Sequence, residues 1–470
     1  MNAISRSSLD SGATTQLGSA PHVVIIGGGF TGALQAINLL RHGAATATIV
    51  ERRAHCGRGI AYSAAHRDHV LNVRAGNMSA FPDDPDHFVR WLSSRHPELA
   101  SGFAPRLVYG DYLAELLAEA ATASCGRLSI VEGEARDVTR GGERATVHLA
   151  DGRTLAADAV VLAVGNLVPY SPAGLDETPL SDDVYAQCPW TQPIAVGLSA
   201  DDTVLTIGTG LTMIDVALML DAEGFRGKIV ALSRRGLAPR AHAGAAMAPS
   251  KLKAAPRSAC AHLVRCVRAR ADAVGWHAAV DELRPFTQAM WRDADLTQRR
   301  RFLRHLRPWW DVHRHRIAPQ VAEKIARMQA EGRLEIAAGK LVSVAPDGAG
   351  TRVEWRARGV QETRALAVRR IVNCTGPQGD LLATGEPLLQ SLLGRGLIRP
   401  DRLRIGVDVD ELSRAVDRDG EAQPWLLALG PITRGAFWEI VAVPDIRHQT
   451  WAVARRLADQ LAVDAERRGA

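Results

Sequence analysis

The sequence predicts an α/β protein in which one strand–glycine turn–helix–strand plan of the Rossmann-like kind is used twice, the second copy carrying a helical insertion. Three observations predict it. An apolar strand beginning at His22 (HVVIIG) runs into Gly27-Gly28-Gly29-Phe30-Thr31-Gly32, then into TGALQAINLLRHG with apolar residues at helical spacing, then into TATIVE. The same order returns from Thr203, as TVLTIG, Gly208-Thr209-Gly210-Leu211-Thr212-Met213, LTMIDVALMLDAEG and KIVALS. The near-identical words GRLSI and GRLEI then fill the same slot in each copy. Each is followed by a hairpin pattern and by a closing apolar strand stopped by glycine, at Gly165 and at Gly376. Strands alternating with helices imply parallel sheets.

A chain of 470 residues is too long for one core, and four segments are expected. Residues 1–20 are small and polar without an apolar stretch, which reads as a disordered tail and not a signal peptide. Residues 21–200 form the first nucleotide domain. Residues 201–375 form the second, with the insertion at about 240–330. Residues 376–470 return to the first. The six cysteines include no CxxC pair, so neither a disulfide framework nor a metal site is expected, and the location reads as cytoplasmic. No run of eighteen apolar residues is present, so no membrane association is expected.

The net charge of +6 is concentrated. Arg240–Leu334 holds 19 Lys and Arg against 8 Asp and Glu, and the remainder holds 38 against 43. That segment is either a solvated helical surface or a field that draws in anions such as cofactor phosphates or an anionic substrate. It has no recognisable nucleic-acid module, so no nucleic-acid partner is expected. Four of the ten tryptophans lie in it. The segment is expected to cap the active site and to take no part in either nucleotide fold.

The chemistry follows from the turns. In the first, Gly27 makes the tight bend, Gly29 lets a pyrophosphate approach the backbone and Gly32 lets helix and strand pack closely, with Phe30 and Thr31 opening the helix toward the phosphates. Glu51 ends the second strand about twenty residues on, where an acid accepts ribose hydroxyls, and Arg52 and Gly165 complete the expected FAD set. In the second turn, Gly208 and Gly210 are present but Met213 replaces the third small residue. Ser233-Arg234-Arg235 stands where an acid would bind a plain ribose. Arginine there suits a 2′-phosphate, which favours NADPH over NADH. Two such turns on one chain imply hydride transfer from nicotinamide to flavin. Cys56 and Cys374 are isolated, which disfavours a disulfide reductase and leaves oxygen activation or electron transfer.

GGGFTG, ERRAHCGRGIAYS, HVLNVRAGNMSAFPDDPDHFVRWL, IGTGLTMIDVAL, ALSRRGLAPRAH, NCTGP and LGPITRGAFWEIVAVPDIRHQ together resemble a bacterial family of FAD/NAD(P)-binding flavoproteins related to the class B and N-hydroxylating monooxygenases. The resemblance spans nearly all of the chain after residue 21. It implies an FAD- and NAD(P)H-dependent monooxygenase that uses O₂ on a small molecule. A characterised type within the family hydroxylates urate to 5-hydroxyisourate in purine breakdown, so urate is the implied substrate. Leu429-Gly430-Pro431 stands where many relatives carry a Gly-Asp for the flavin ribityl chain. Candidates near the flavin are Arg74, Asn77 and Ser79, and Arg434, Trp438 and Glu439. Each has a plainer alternative: Arg74 pairs with the FAD pyrophosphate, the reading favoured, Trp438 is core in preference to a substrate platform, and Glu439 is only a helix first-turn acid. A reductase that passes electrons to a partner and a non-catalytic FAD/NAD(P) sensor are the alternatives.

Overall fold

A computed structural model of the protein describes residues 20–64, 66–175, 180–243, 260–348 and 350–469. The expected N-terminal tail lies outside them up to residue 19. The first nucleotide unit is a six-stranded sheet. Its strands run, edge to edge, Arg414–Val416, Ala422–Ala428, Ala159–Leu162, His22–Ile26, Thr46–Glu51 and Leu128–Glu132. All neighbours are parallel except the outermost pair, Arg414–Val416 with Ala422–Ala428. A sheet covered on both faces needs strands apolar throughout, not alternating. Accordingly Val23, Val24 and Ile25 are all fully buried. The helix Phe30–His42 covers one face together with the C-terminal helix Val443–Gly469, and Asn38 donates to Thr450 between them.

The second sheet orders its strands Thr363–Val368, Gly350–Ala357, Leu334–Asp347, Lys228–Ser233, Thr203–Ile207, Arg370–Asn373 and Tyr185–Ala186. Its central strands are parallel, and the long strand Leu334–Asp347 continues into the antiparallel hairpin read from the sequence. The first copy's hairpin instead forms a separate three-stranded sheet, Ala135–Gly141, Arg144–Leu149 and Thr154–Ala157. Arg106 and Asp215 join the two units by a bidentate ion pair of 2.8 and 2.9 Å, with Asp215 buried.

The insertion begins beyond the strand Lys228–Ser233. Its described helices include Cys260–Val274, Trp276–Asp281, Thr287–Asp293, Leu296–Arg301 and Arg307–Arg314, with a π turn at Phe302–Leu306. Leu296–Arg301 starts on a capping box in which Asp295 and Gln298 satisfy each other's backbone N–H groups. The expectation that the whole segment stands apart from the nucleotide folds is corrected at its end. Helix Pro319–Ala330 buries Val321, Ile325 and Met328 in the same core as Met213 and Leu218. It links the parallel neighbours Lys228–Ser233 and Leu334–Asp347, and parallel strands require such a crossover.

Candidate functional site

Both glycine turns share one construction. Gly27 and Gly208 lie at φ of 104° and 115°, and a Cβ would come within 2.4 Å of the Ala163 carbonyl and 2.1 Å of the Cys374 carbonyl. Each therefore bends its chain against the closing strand of its own sheet. A Cβ on Gly32 would sit 1.8 Å from the Gly27 carbonyl oxygen, so only glycine lets the helix start this close to the turn. Gly29 differs: a Cβ there meets nothing nearer than Gly59 at 3.4 Å. A small side chain there would make only ordinary contact with Gly59.

The helices behind both turns, Phe30–His42 and Leu211–Ala222, have glycine N-caps, no side-chain cap and no acid in the first turn. Their first N–H groups and the positive end of the helix dipole are left for an anionic ligand. Glu51 is buried, its Oε2 accepting from Gly28 N at 2.7 Å and its Oε1 from Arg53 N at 3.0 Å. The carboxylate braces the turn and keeps lone pairs for hydroxyl donors. Arg52 is paired with Glu386 at 2.9 Å. Gly165, at φ 74°, ends the closing strand with open space where a Cβ would be. A dinucleotide such as FAD fits these residues.

At the second turn the expected trio divides. The Ser233 hydroxyl is 2.9 Å from Thr209 Oγ1 and accepts from Gly236 N, so it holds the loop. Arg235 donates to the carbonyls of His305 and Arg304, which ties this loop to the insertion. Arg234 is exposed, and its guanidinium has no partner among the described residues.

The C-terminal segment carries the other candidates. Gly430, at φ 73°, packs so closely on Thr31 that a Cβ would lie 2.6 Å from its hydroxyl. From this point beside the nucleotide turn the chain runs to Trp438 and Glu439. Trp438 is buried, stacked on Trp291 at 4.7 Å and overlain by the Arg434 guanidinium at 4.4 Å. Burial, then repulsion from Arg307, pushes Arg434 down to about 10. Arg434 Nε and Trp438 Nε1 are buried donors with no acceptor among the described residues.

Glu439 is not a helix first-turn acid, the plainer of its two readings. It lies outside any helix at φ 70°, with a fully buried side chain. Its Oε1 accepts from Trp310 Nε1 at 2.7 Å, and its Oε2 lies 3.4 Å from Arg314 Nε and 3.6 Å from His315 Nε2. Burial raises its pKa, but His315, then Arg314 and Trp310, outweigh it and hold the carboxyl well below the usual range. With Trp291 Nε1 donating to Gly435 O at 2.9 Å, two insertion tryptophans are fixed to this one segment. No motif in the sequence signals that hub, because its partners lie more than a hundred residues away.

The three remaining candidates are placed as follows. Arg74 lies over the Phe103 ring at 4.9 Å and donates to Ala243 O at 3.3 Å, at the junction with the insertion. Ser79 is committed to its own loop, donating to the Phe81 and Asp84 carbonyls and accepting from Phe81 N. Asn77 is exposed.

Between the insertion helices lies a cavity of about 1060 Å³, bounded on one side by Trp438. Its walls are mainly apolar, with Leu263, Val267, Trp276, Phe302, Trp309 and Trp310 prominent.

Residues 24–167 match the model of an FAD-NAD(P)-binding family, which covers the first turn, Glu51 and Gly165 and supports binding of both cofactors. Solved structures share the whole fold. Ornithine hydroxylase from Pseudomonas aeruginosa superposes with a TM-score of 0.64 at 13% identity, covering 94% of this chain and 100% of that one. Ornithine N-hydroxylase from Kutzneria sp. 744 gives 0.63 at 17%, covering 96% and 100%. The cadaverine monooxygenase of Erwinia amylovora gives 0.63 at 12%, covering 93% and 94%. The chain thus has the two-nucleotide fold of N-hydroxylating flavin monooxygenases. Among its described residues no helix is long and apolar enough to cross a membrane.

Proposed function

We propose that this chain is an FAD-dependent monooxygenase that uses NAD(P)H and O₂ on a small, anionic substrate in the cytoplasm. The observation that carries the reading is the pair of uncapped, glycine-framed helix N-termini on one chain, with an apolar cavity against the segment that packs on the first of them. The domain limits read from the sequence belong to the same proposal, with the insertion ending before Pro319. Bound FAD supplies hydride acceptance from nicotinamide and oxygen activation. The chain's own task is positional. The helix behind Gly27–Gly32 holds the FAD pyrophosphate on its N–H groups, and Glu51 accepts the ribose hydroxyls. The helix behind Gly208–Gly210 does the same for the nicotinamide cofactor. The tryptophan-walled cavity excludes water beside the reacting centre.

The relatives' names give ornithine and cadaverine as substrates, and none of them supports urate, the substrate implied by the resemblance. NADPH is the proposed donor, with Arg234 as the residue that reads the 2′-phosphate. Arg234→Ala is expected to raise KM for NADPH about tenfold or more while leaving NADH nearly unchanged, since a charge-assisted contact contributes roughly 1.5–3 kcal/mol. Arg235→Ala is expected to affect both cofactors alike, because Arg235 holds the insertion. Steady-state kinetics with both donors checks this, and an equal response to Arg234→Ala removes the assignment. The monooxygenase reading is tested by NADPH oxidation and O₂ uptake with and without candidate substrates. Oxidation that is coupled to a hydroxylated product supports it. Electron delivery to an added acceptor without oxygen insertion favours the reductase, and no NADPH oxidation at all favours a sensor.

A further inference from the structure

The tryptophan-walled cavity between the insertion helices carries chemistry that neither turn explains. Helix Cys260–Val274 turns Leu263, Val264, Val267 and Ala271 toward it, positions that share one helical face. The facing wall is aromatic. Trp291 and Trp310 are held there by their bonds to Gly435 and Glu439, which leaves their rings as fixed surfaces. An apolar void of this size left to water is unfavourable, and its volume matches that of sites built for whole small molecules, roughly 300–1,000 Å³. The charged lining is unequal: Arg240, Arg268 and Arg299 against Asp293 alone. Arg299 is already spent on the carbonyls of Trp291, Arg292 and Ala294. Arg240 and Arg268 are exposed, and their guanidinium groups have no partner among the described residues.

From this arrangement we infer that the cavity binds an amphipathic carboxylate: an aromatic or long-chain apolar body lies between the tryptophans and helix Cys260–Val274, and its single anionic group is met by Arg240 and Arg268. The inference rests on the monooxygenase reading only in calling this molecule the substrate. Urate and free diamines fit poorly. Urate is polar on every edge, and each edge buried against leucine, valine and indole loses hydrogen bonds to water. A diamine would bring ammonium groups to a lining with one acid and three arginines.

The test uses the FAD-loaded full-length protein and decanoate as probe, with decanol as its neutral counterpart, followed by isothermal titration calorimetry. Both are expected to bind wild type. Val267→Trp fills the cavity and is expected to weaken both at least about tenfold. Arg268→Glu, at an exposed position that the fold tolerates, is expected to weaken decanoate by about tenfold and decanol by less than about twofold. Failure of decanoate to bind, or binding indifferent to both substitutions, overturns the inference. Cofactor chemistry is read separately, by bleaching of the flavin colour with NADPH or NADH. Decanoate binding without bleaching keeps the site and removes the monooxygenase reading. Bleaching without decanoate binding does the reverse.

Discussion

Gly29→Val is expected to yield a folded protein without flavin. Of the first turn's glycines it is the one whose Cβ meets only ordinary contact, at 3.4 Å from Gly59, whereas the same change at Gly32 would drive a Cβ to 1.8 Å from a carbonyl oxygen. A side chain at Gly29 therefore occupies the ligand's place and not the protein's. The variant is expected to purify colourless. After flavin is stripped from the wild type, the two apoproteins are expected to melt within a few degrees of each other. Comparison of the stripped forms matters because a bound ligand itself raises the melting temperature. Normal FAD content in a folded Gly29→Val protein would remove FAD from this turn.

The second large effect is on stability. Glu439→Gln removes a fully buried negative charge from beside Arg314, itself largely buried, and His315, and leaves Asp311, 3.6 Å from His315, as the remaining close acid. Removing one partner of such a cluster costs about 3–5 kcal/mol. Trp310 loses its charged acceptor as well, so the cavity wall should loosen with the fold. The pH dependence has a definite sign. The Glu439 carboxyl is held below its ordinary value in the folded protein, so its contribution is fully present above about pH 4.3, where the unfolded chain is also ionised. It is lost as pH falls further toward the folded value. Urea unfolding of wild type between pH 6 and pH 3 is expected to show this loss, and Glu439→Gln is expected to show a shallower decline. Parallel declines would mean that the carboxylate is not held by its neighbours.

The repeated plan was legible in the sequence because it rests on local signals. The runs HVVII and TVLTI are mainly apolar without polar–apolar alternation, as strands buried on both faces tend to be, and glycines stand at the bends that need them. The long-range part was not legible. Glu439 reads like any acid after an aromatic, and its φ of 70° and its partners near residue 310 exist only once the C-terminal segment has folded against the insertion. Arg74 and Arg235 were read as ligands for phosphates because arginine suits phosphate. In the structure each also donates to a main-chain carbonyl at a seam between segments, a use that composition does not show. The basic character of the insertion was visible, but its apolar interior was not, since amphipathic helices show their charges and their cavity face in the same string.

The most direct test of the central claim, that one chain binds both cofactors so that hydride passes from nicotinamide to flavin, is anaerobic mixing of the FAD-loaded protein with NADPH while the flavin absorbance near 450 nm is followed. The expected result is bleaching that is restored by O₂ and slowed in Arg234→Ala. A flavin that stays oxidised under both NADPH and NADH would contradict it.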